Sequence, residues 1–268
     1  MNTARRILLA ALALFATAAS LSAQTVAYWR FDDEEDIRLD SSGNGHDLTL
    51  SPSSTTSYSA GRLAKPASSN GWLGAPDNAA FTMNAFTLEL NLELSTHNGS
   101  LTFVAGQWAG SNGARSYTMA LSASREFGVI LSSDGNTAGQ YYSGVTLETG
   151  VNYYLAVAVN TSATESERSI TFHVKDLTNN TALQSISYES TISQTSLWNS
   201  NTGFGIGAQG TGGAATVFSG YLDEIRLSAG VLSGGQLLVS GTIPEPSAFA
   251  ALAGLAAAAF AGAHRRRC

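Results

Sequence analysis

The chain is poor in cysteine, proline, methionine and charge. Its one cysteine is Cys268, the last residue, so no intrachain disulfide can form. Histidines are also scarce: His46, His97 and His173 stand alone in sequence, without ligand spacing, which argues against zinc and leaves them as ordinary surface or strand residues. There is no phosphate-binding lysine loop, no G-x-S-x-G nucleophile turn and no repeat at a fixed period. Between residues 24 and 242 nineteen acidic residues face nine basic ones, a balance of −10. A surface of that sign repels phosphate backbones and excludes nucleic acid as a natural partner, while suiting divalent cations and neutral glycans.

The two ends differ from the middle. Arg5 and Arg6 precede an apolar stretch from Ile7 to Ala19, and Leu21-Ser22-Ala23 supplies small residues before Gln24. Residues 1–23 therefore read as a secretory signal peptide, with a signal helix. At the other end, Pro244-Glu245-Pro246 is followed by an apolar run from Ala248 to Ala263 and by Arg265-Arg266-Arg267. The run is near the lower length limit for a spanning helix, and arginines at both ends would stay cytoplasmic. These three parts, in this order, resemble the PEP-CTERM sorting tail of exported bacterial proteins; a plain C-terminal membrane anchor is the alternative. The resemblance implies a transmembrane helix held transiently in the inner membrane, removal by an exosortase-type enzyme after signal peptidase has acted, and delivery to the cell surface or matrix. Cys268 is read as a chance terminal residue rather than a lipid or thiol site. The expected organisation is signal peptide 1–23, one domain 24–242, and sorting segment 243–268.

The middle reads as strands. Phe86 to Leu94 alternates, with four leucines on one face and Thr87, Glu89, Asn91 and Glu93 on the other. Shorter runs at 26–31, 101–104, 117–121, 127–131, 153–159, 170–174, 204–206 and 221–227 are bounded by Gly, Ser or Asn turns. Such spacing predicts an all-β, two-sheet antiparallel sandwich or jelly roll, with one helical turn near Leu232 to Val239.

Three segments carry a family resemblance. Tyr28-Trp29-Arg30-Phe31-Asp32-Asp33 is followed by Asp40-Ser41-Ser42-Gly43-Asn44-Gly45-His46-Asp47. Asn152 to Val159 leads to Ile170 to Asp176. Phe218-Ser219-Gly220-Tyr221-Leu222-Asp223-Glu224-Ile225-Arg226-Leu227 closes the domain. Together they resemble the laminin-G-like, concanavalin A-like jelly-roll domain. That resemblance implies two sheets of six or seven strands, with the first and last strands side by side and the acidic opening loop near Asp223-Glu224. It also implies a structural calcium ion; Asp32, Asn44 and Asp223 offer oxygens from three segments. Turn chemistry and a solvated acidic loop explain the same residues without a metal.

Two further patterns bear on function. Glu89-Leu90-Asn91-Leu92-Glu93 is similar to the E-x-D-x-E strand of glucan-cleaving concanavalin A-like enzymes, with Asn91 in place of the central acid. Glu89 and Glu93 would be the two carboxylates of a divergent glycoside hydrolase; plain exposed alternation is the reading preferred here. Gly205-Ile206-Gly207-Ala208-Gln209-Gly210 fits G-x-G-x-x-G, but Thr211-Gly212-Gly213 cannot open the helix a dinucleotide needs. Trp108, Tyr141, Tyr142 and Trp198 are candidates for stacking a sugar, with Asn112 or Gln140 as polar partners, whereas Trp29 and Trp72 are expected in the core. The function expected is a non-catalytic, exported module binding glycans or an extracellular polymer.

Overall fold

The computed structural model describes residues 24–51, 54–66, 72–210 and 218–240. The signal segment 1–23, the sorting motif Pro244, Glu245 and Pro246, the apolar run after it and Cys268 all lie outside the described residues. Among the described residues there is no α-helix, and no helix is long and apolar enough to cross a membrane. The chain divides into two compact units at Val231 and Leu232. In the second unit the described part is two short 3-10 turns, Gly234–Gln236 and Leu238–Ser240. Gln236 Oε1 closes the first of them by accepting from the Ser233 backbone N–H (3.0 Å) and hydroxyl (2.9 Å). That is the turn expected near Leu232 to Val239.

The first unit is a two-sheet jelly-roll sandwich with every strand pair antiparallel. One sheet runs β13 (Gln184–Ser187), β12 (Ser169–Asp176), β11 (Asn152–Asn160), β6 (Ala85–Leu94), β15 (Gly220–Ala229), β4 (Leu63–Lys65) and β3 (Ser57–Tyr58). The first strand, β1 (Thr25–Trp29), lies along the same edge of β15 as β4. The other sheet runs β10 (Gly139–Thr146), β9 (Glu126–Leu131), β8 (Arg115–Leu121), β7 (Thr102–Trp108), β14 (Phe204–Ile206), β5 (Leu73–Ala75) and β2 (Thr49–Leu50). Among the described residues the sheets thus hold eight and seven strands. The expected meeting of first and last strands is present: Trp29 opposes Ile225 and Ala27 opposes Leu227. That pairing covers part of an edge that would otherwise offer free backbone groups.

The leucines of β6 do what their alternation requires. Leu88, Leu90 and Leu92 have no solvent exposure and pack toward Met119, Val129 and Leu131 of the facing sheet. Each such burial stabilises the fold by roughly 1.5–3 kcal/mol. Rings lock the two layers: Trp29 meets Phe204 at 5.2 Å, Phe86 meets Tyr117 at 4.5 Å, and Phe127 meets Phe172 edge-on at 5.4 Å. The polar tips of two of these buried rings are satisfied: Trp29 Nε1 donates to His46 O at 2.9 Å and the Tyr117 hydroxyl to Phe81 O at 3.0 Å. Trp29 is a core residue as expected, while Trp72 is only half-buried.

Candidate functional site

The opening loop is organised by Asp40, a buried carboxylate at the end of the acidic stretch. It accepts backbone N–H groups from Tyr28 (3.0 Å), Ser42 (2.9 Å) and His46 (2.9 Å), and the Ser42 hydroxyl at 2.8 Å. Burial opposes its ionisation, but these donors outweigh burial and hold the carboxyl below its usual range. The D-S-S-G-N-G segment is thus, first of all, turn chemistry.

Of the three residues proposed for calcium, two share a neighbourhood. Asp223 is pushed up to about 7 by burial, then by the charges of Glu224 and Asp32. Asp32 forms an ion pair with Arg30 at 2.9 Å, and Glu224 accepts from the Tyr28 hydroxyl. Asn44 is elsewhere. Its amide donates to the carbonyls of Thr25 and Val26, both at 2.9 Å, at the opposite end of β1. Antiparallel pairing puts Asp223 beyond Trp29, so roughly 13 Å of strand separates the two places. The set Asp32, Asn44 and Asp223 therefore does not fit one ion, and among the described residues no group of three or more acidic or imidazole side chains is placed to hold a metal.

Glu89 and Glu93 are both engaged. Glu89 has no solvent exposure; Arg226 Nε donates to it at 2.6 Å and the Tyr154 hydroxyl at 2.6 Å. The register explains the meeting, since Glu89 lies opposite Arg226 on one side and Ala156 on the other. Burial raises the Tyr154 hydroxyl far above its ordinary value, with the Glu89 charge adding to the effect. Glu93 pairs with Arg62 at 2.7 Å, and that guanidinium lies 4.2 Å from the Tyr221 ring centroid. The expectation of a passive, exposed alternation is corrected here, because Thr87 and Glu89 are fully buried.

The four aromatic candidates do not converge either. Tyr141 and Tyr142 are consecutive on β10 and so point to opposite faces. Tyr141 enters the core, where its hydroxyl meets Gln194 and the Ser193 backbone N–H. Tyr142 is half-buried, its hydroxyl donating to Gln140 at 2.8 Å. Trp108 is buried in a small second cluster with Phe103, Ala120 and Ile130, on the face of its sheet turned from the main core. Trp198 alone is open, at 40% exposure. Its Nε1 donates to Gly113 O and its backbone N–H to Ser132 O, both at 2.9 Å.

One concavity joins Asn44 to residues that pattern alone did not single out as a site. A cleft of about 380 Å³ is lined by Gln24, Asn44, His46, Asn78, Thr82 and Met83, with small apolar residues between them. Two of its amides are held in fixed orientations. Asn44 spends both N–H groups on carbonyls, leaving its oxygen as an acceptor. Asn78 accepts the Ala80 N–H at 2.9 Å, which caps the 3-10 turn Ala79–Phe81 and leaves its NH₂ as a donor. The His46 ring rests 4.8 Å from that of Phe81. Among the described residues no Asp, Glu, Lys or Arg lines the cleft. The helix-cap position of Asn78 was the available signal; its meeting with Asn44 and Gln24 depends on long-range pairing.

The G-x-G-x-x-G segment is described up to Gly210; Thr211, Gly212 and Gly213, on which the helix argument turned, lie outside the described residues. Gly205 ends in a tight fold-back, where a Cβ would come within 2.6 Å of Gly210 N.

No protein-family model matches the chain, and no curated protein sequence matches it. Solved structures do. Domain 4 of AbnA, a GH43 extracellular arabinanase from Geobacillus stearothermophilus solved in complex with arabinotriose, matches at 18% identity and a TM-score of 0.56. The match covers 83% of this chain and 99% of that one. The receptor-binding domain of botulinum neurotoxin mosaic serotype C/D matches at 8% identity and a TM-score of 0.53, over 82% of this chain and half of the other. At such identities the likeness is one of fold: this chain carries the two-sheet jelly roll found in those domains.

Proposed function

We propose that the chain is an exported, non-catalytic module that binds a neutral glycan or extracellular polymer in the cleft beside Asn44, His46 and Asn78. The observation that carries the reading is the chemistry of that cleft: fixed amide groups, an imidazole, a hydroxyl and apolar surface, without a carboxylate or amine side chain among the described residues. Such a lining suits hydroxyl groups and the C–H faces of a sugar ring. The arabinotriose held by a domain of similar fold supports the same reading. The engagement of Glu89 by Arg226 and Tyr154 speaks against the glycosidase alternative, since a sugar bond would have to reach a carboxylate with no exposed surface.

Export through residues 1–23 and sorting through Pro244, Glu245 and Pro246 belong to this proposal on the strength of the sequence resemblance. So does a calcium ion, restricted to the Asp32 and Asp223 end. The test is a glycan array with the full-length protein in mild detergent, run with calcium and with a chelator. Binding of neutral oligosaccharides that weakens on Asn78→Ala supports the site, and an array without any neutral hit ends it. A calcium-dependent rise in melting temperature, absent in Asp223→Asn, supports the ion; identical melts with chelator remove it.

A further inference from the structure

We infer, resting on that reading, that the site is extended and takes a linear neutral oligosaccharide across two subsites, the cleft and the Trp198 ring, rather than a single sugar. The residues between them form one pinned strip. Thr82 lines the cleft, and its hydroxyl donates to Asn199 Oδ1 at 2.9 Å. Asn199 follows Trp198 directly in the chain. One residue before Trp198, the Leu197 N–H donates to Asn84 Oδ1 at 2.9 Å, which ties the same strip to the segment after the Ala79–Phe81 turn. On its far side the strip is tied to two hairpin loops, through Ser132 O and Gly113 O. Those loops clasp each other in turn, with the Gly113 N–H donating to Gly135 O at 3.0 Å and Arg115 reaching Asn136 O at 2.5 Å.

Trp198 is therefore an exposed ring whose orientation is set before any ligand arrives. Its indole N–H is already satisfied by Gly113, so what it offers a ligand is a π-face. An indole on a residue that is 40% exposed, oriented by its hydrogen bond to Gly113 and tied through Asn199 to Thr82 of the cleft, gives the pairing an oligosaccharide needs: hydrogen bonds for one unit and stacking for another. Two such subsites on one rigid strip make affinity depend on ligand length, because a chain that spans both binds the second without a new association cost.

The experiment is isothermal titration of the full-length protein in mild detergent with neutral arabino-, laminari- and cello-oligosaccharide ladders of increasing length. For the ladder that binds, affinity should climb roughly tenfold or more between the monosaccharide and the longest member, a gain equal to about 1.4 kcal/mol. Trp198→Ala should abolish that climb while leaving the shortest bound member unchanged. Trp198→Phe, which keeps a ring but loses the indole N–H, should restore part of it, and its melting temperature serves as the check on folding. Asn78→Ala should weaken every length alike. Affinity independent of length, or a length dependence that survives Trp198→Ala, overturns the extended site and leaves the parent reading standing. Failure of every ladder to bind overturns both.

Discussion

Glu89 sits mid-strand on β6 with an ionised partner from the last strand and a phenol from the neighbouring one. A charge pair with almost no solvent contact is expensive to assemble and more expensive to break, since the survivor stays buried. Glu89→Gln leaves the Arg226 guanidinium without that carboxylate, and should lower stability by roughly 3–5 kcal/mol in denaturant unfolding. Glycan binding measured below the melting temperature of the variant should not change. Full stability together with a lost glucan-cleaving activity would restore the catalytic alternative. Asp40 gives a second prediction at this scale. Its carboxyl titrates lower in the folded chain than in the unfolded one, so between the two values the unfolded state holds more protons and stability rises with pH. The contribution is complete above the ordinary aspartate value near pH 3.9 and disappears as pH falls through the folded value. In Asp40→Asn an amide replaces a carboxylate that faces three backbone N–H groups. The variant should melt lower at pH 7, by the equivalent of roughly 1–3 kcal/mol, and its acid-side slope should be shallower than that of the parent.

Among the elements, the loops at the Trp198 end depend on one glycine. Gly135 has φ of +78°, and a Cβ there would come within 2.7 Å of Trp198 Nε1 and 2.8 Å of Gly113 Cα. Gly135→Ala should cost roughly 1–3 kcal/mol and turn the indole out of its seat. Tryptophan emission, taken as the difference from Trp198→Phe, should shift to the red and become more open to acrylamide; an unchanged spectrum would mean that the seat is not what orients the ring. Elements of this kind also mark how far the sequence could be read. β6 follows from its period-2 alternation, and β8, β9, β11, β12 and β15 from short apolar runs bounded by turn residues, as strands buried on both faces such as β8, β9 and β11 require. β10 does not, since its inward face mixes Tyr141 and Val145 with the polar Ser143, on an edge strand where only one neighbour constrains the residues. The two- and three-residue strands β2 to β5 carry too few positions to show a period. The site was less legible still. Candidate aromatics were named by residue type, and only Trp198 is open; Tyr141 and Trp108 fill apolar clusters. Asn44 was read as a cation ligand because D-S-S-G-N-G is rich in oxygen, whereas the register of β1 carries it to the cleft.

For the whole molecule, the decisive quantity is the contrast between a strongly acidic stretch and a neutral cleft. Nineteen acidic against nine basic residues between 24 and 242 produce a field that repels anionic polymers at long range. The cleft, by contrast, has no carboxylate, lysine or arginine among the described residues of its lining, so a neutral ligand gains nothing from that field. Added salt shortens the reach of the field to about 3 Å at 1 M without touching hydrogen bonds or stacking. Affinity for the neutral ladder that binds should therefore change by less than about twofold between low and high sodium chloride. Uronic-acid and sulfated polymers of similar length should stay unbound at low salt, where repulsion is strongest. If affinity for the neutral ladder fell tenfold with salt, or an anionic polymer bound best in dilute buffer, recognition would have to run through charged groups such as Arg30 and Arg38, and the cleft would lose its place as the site.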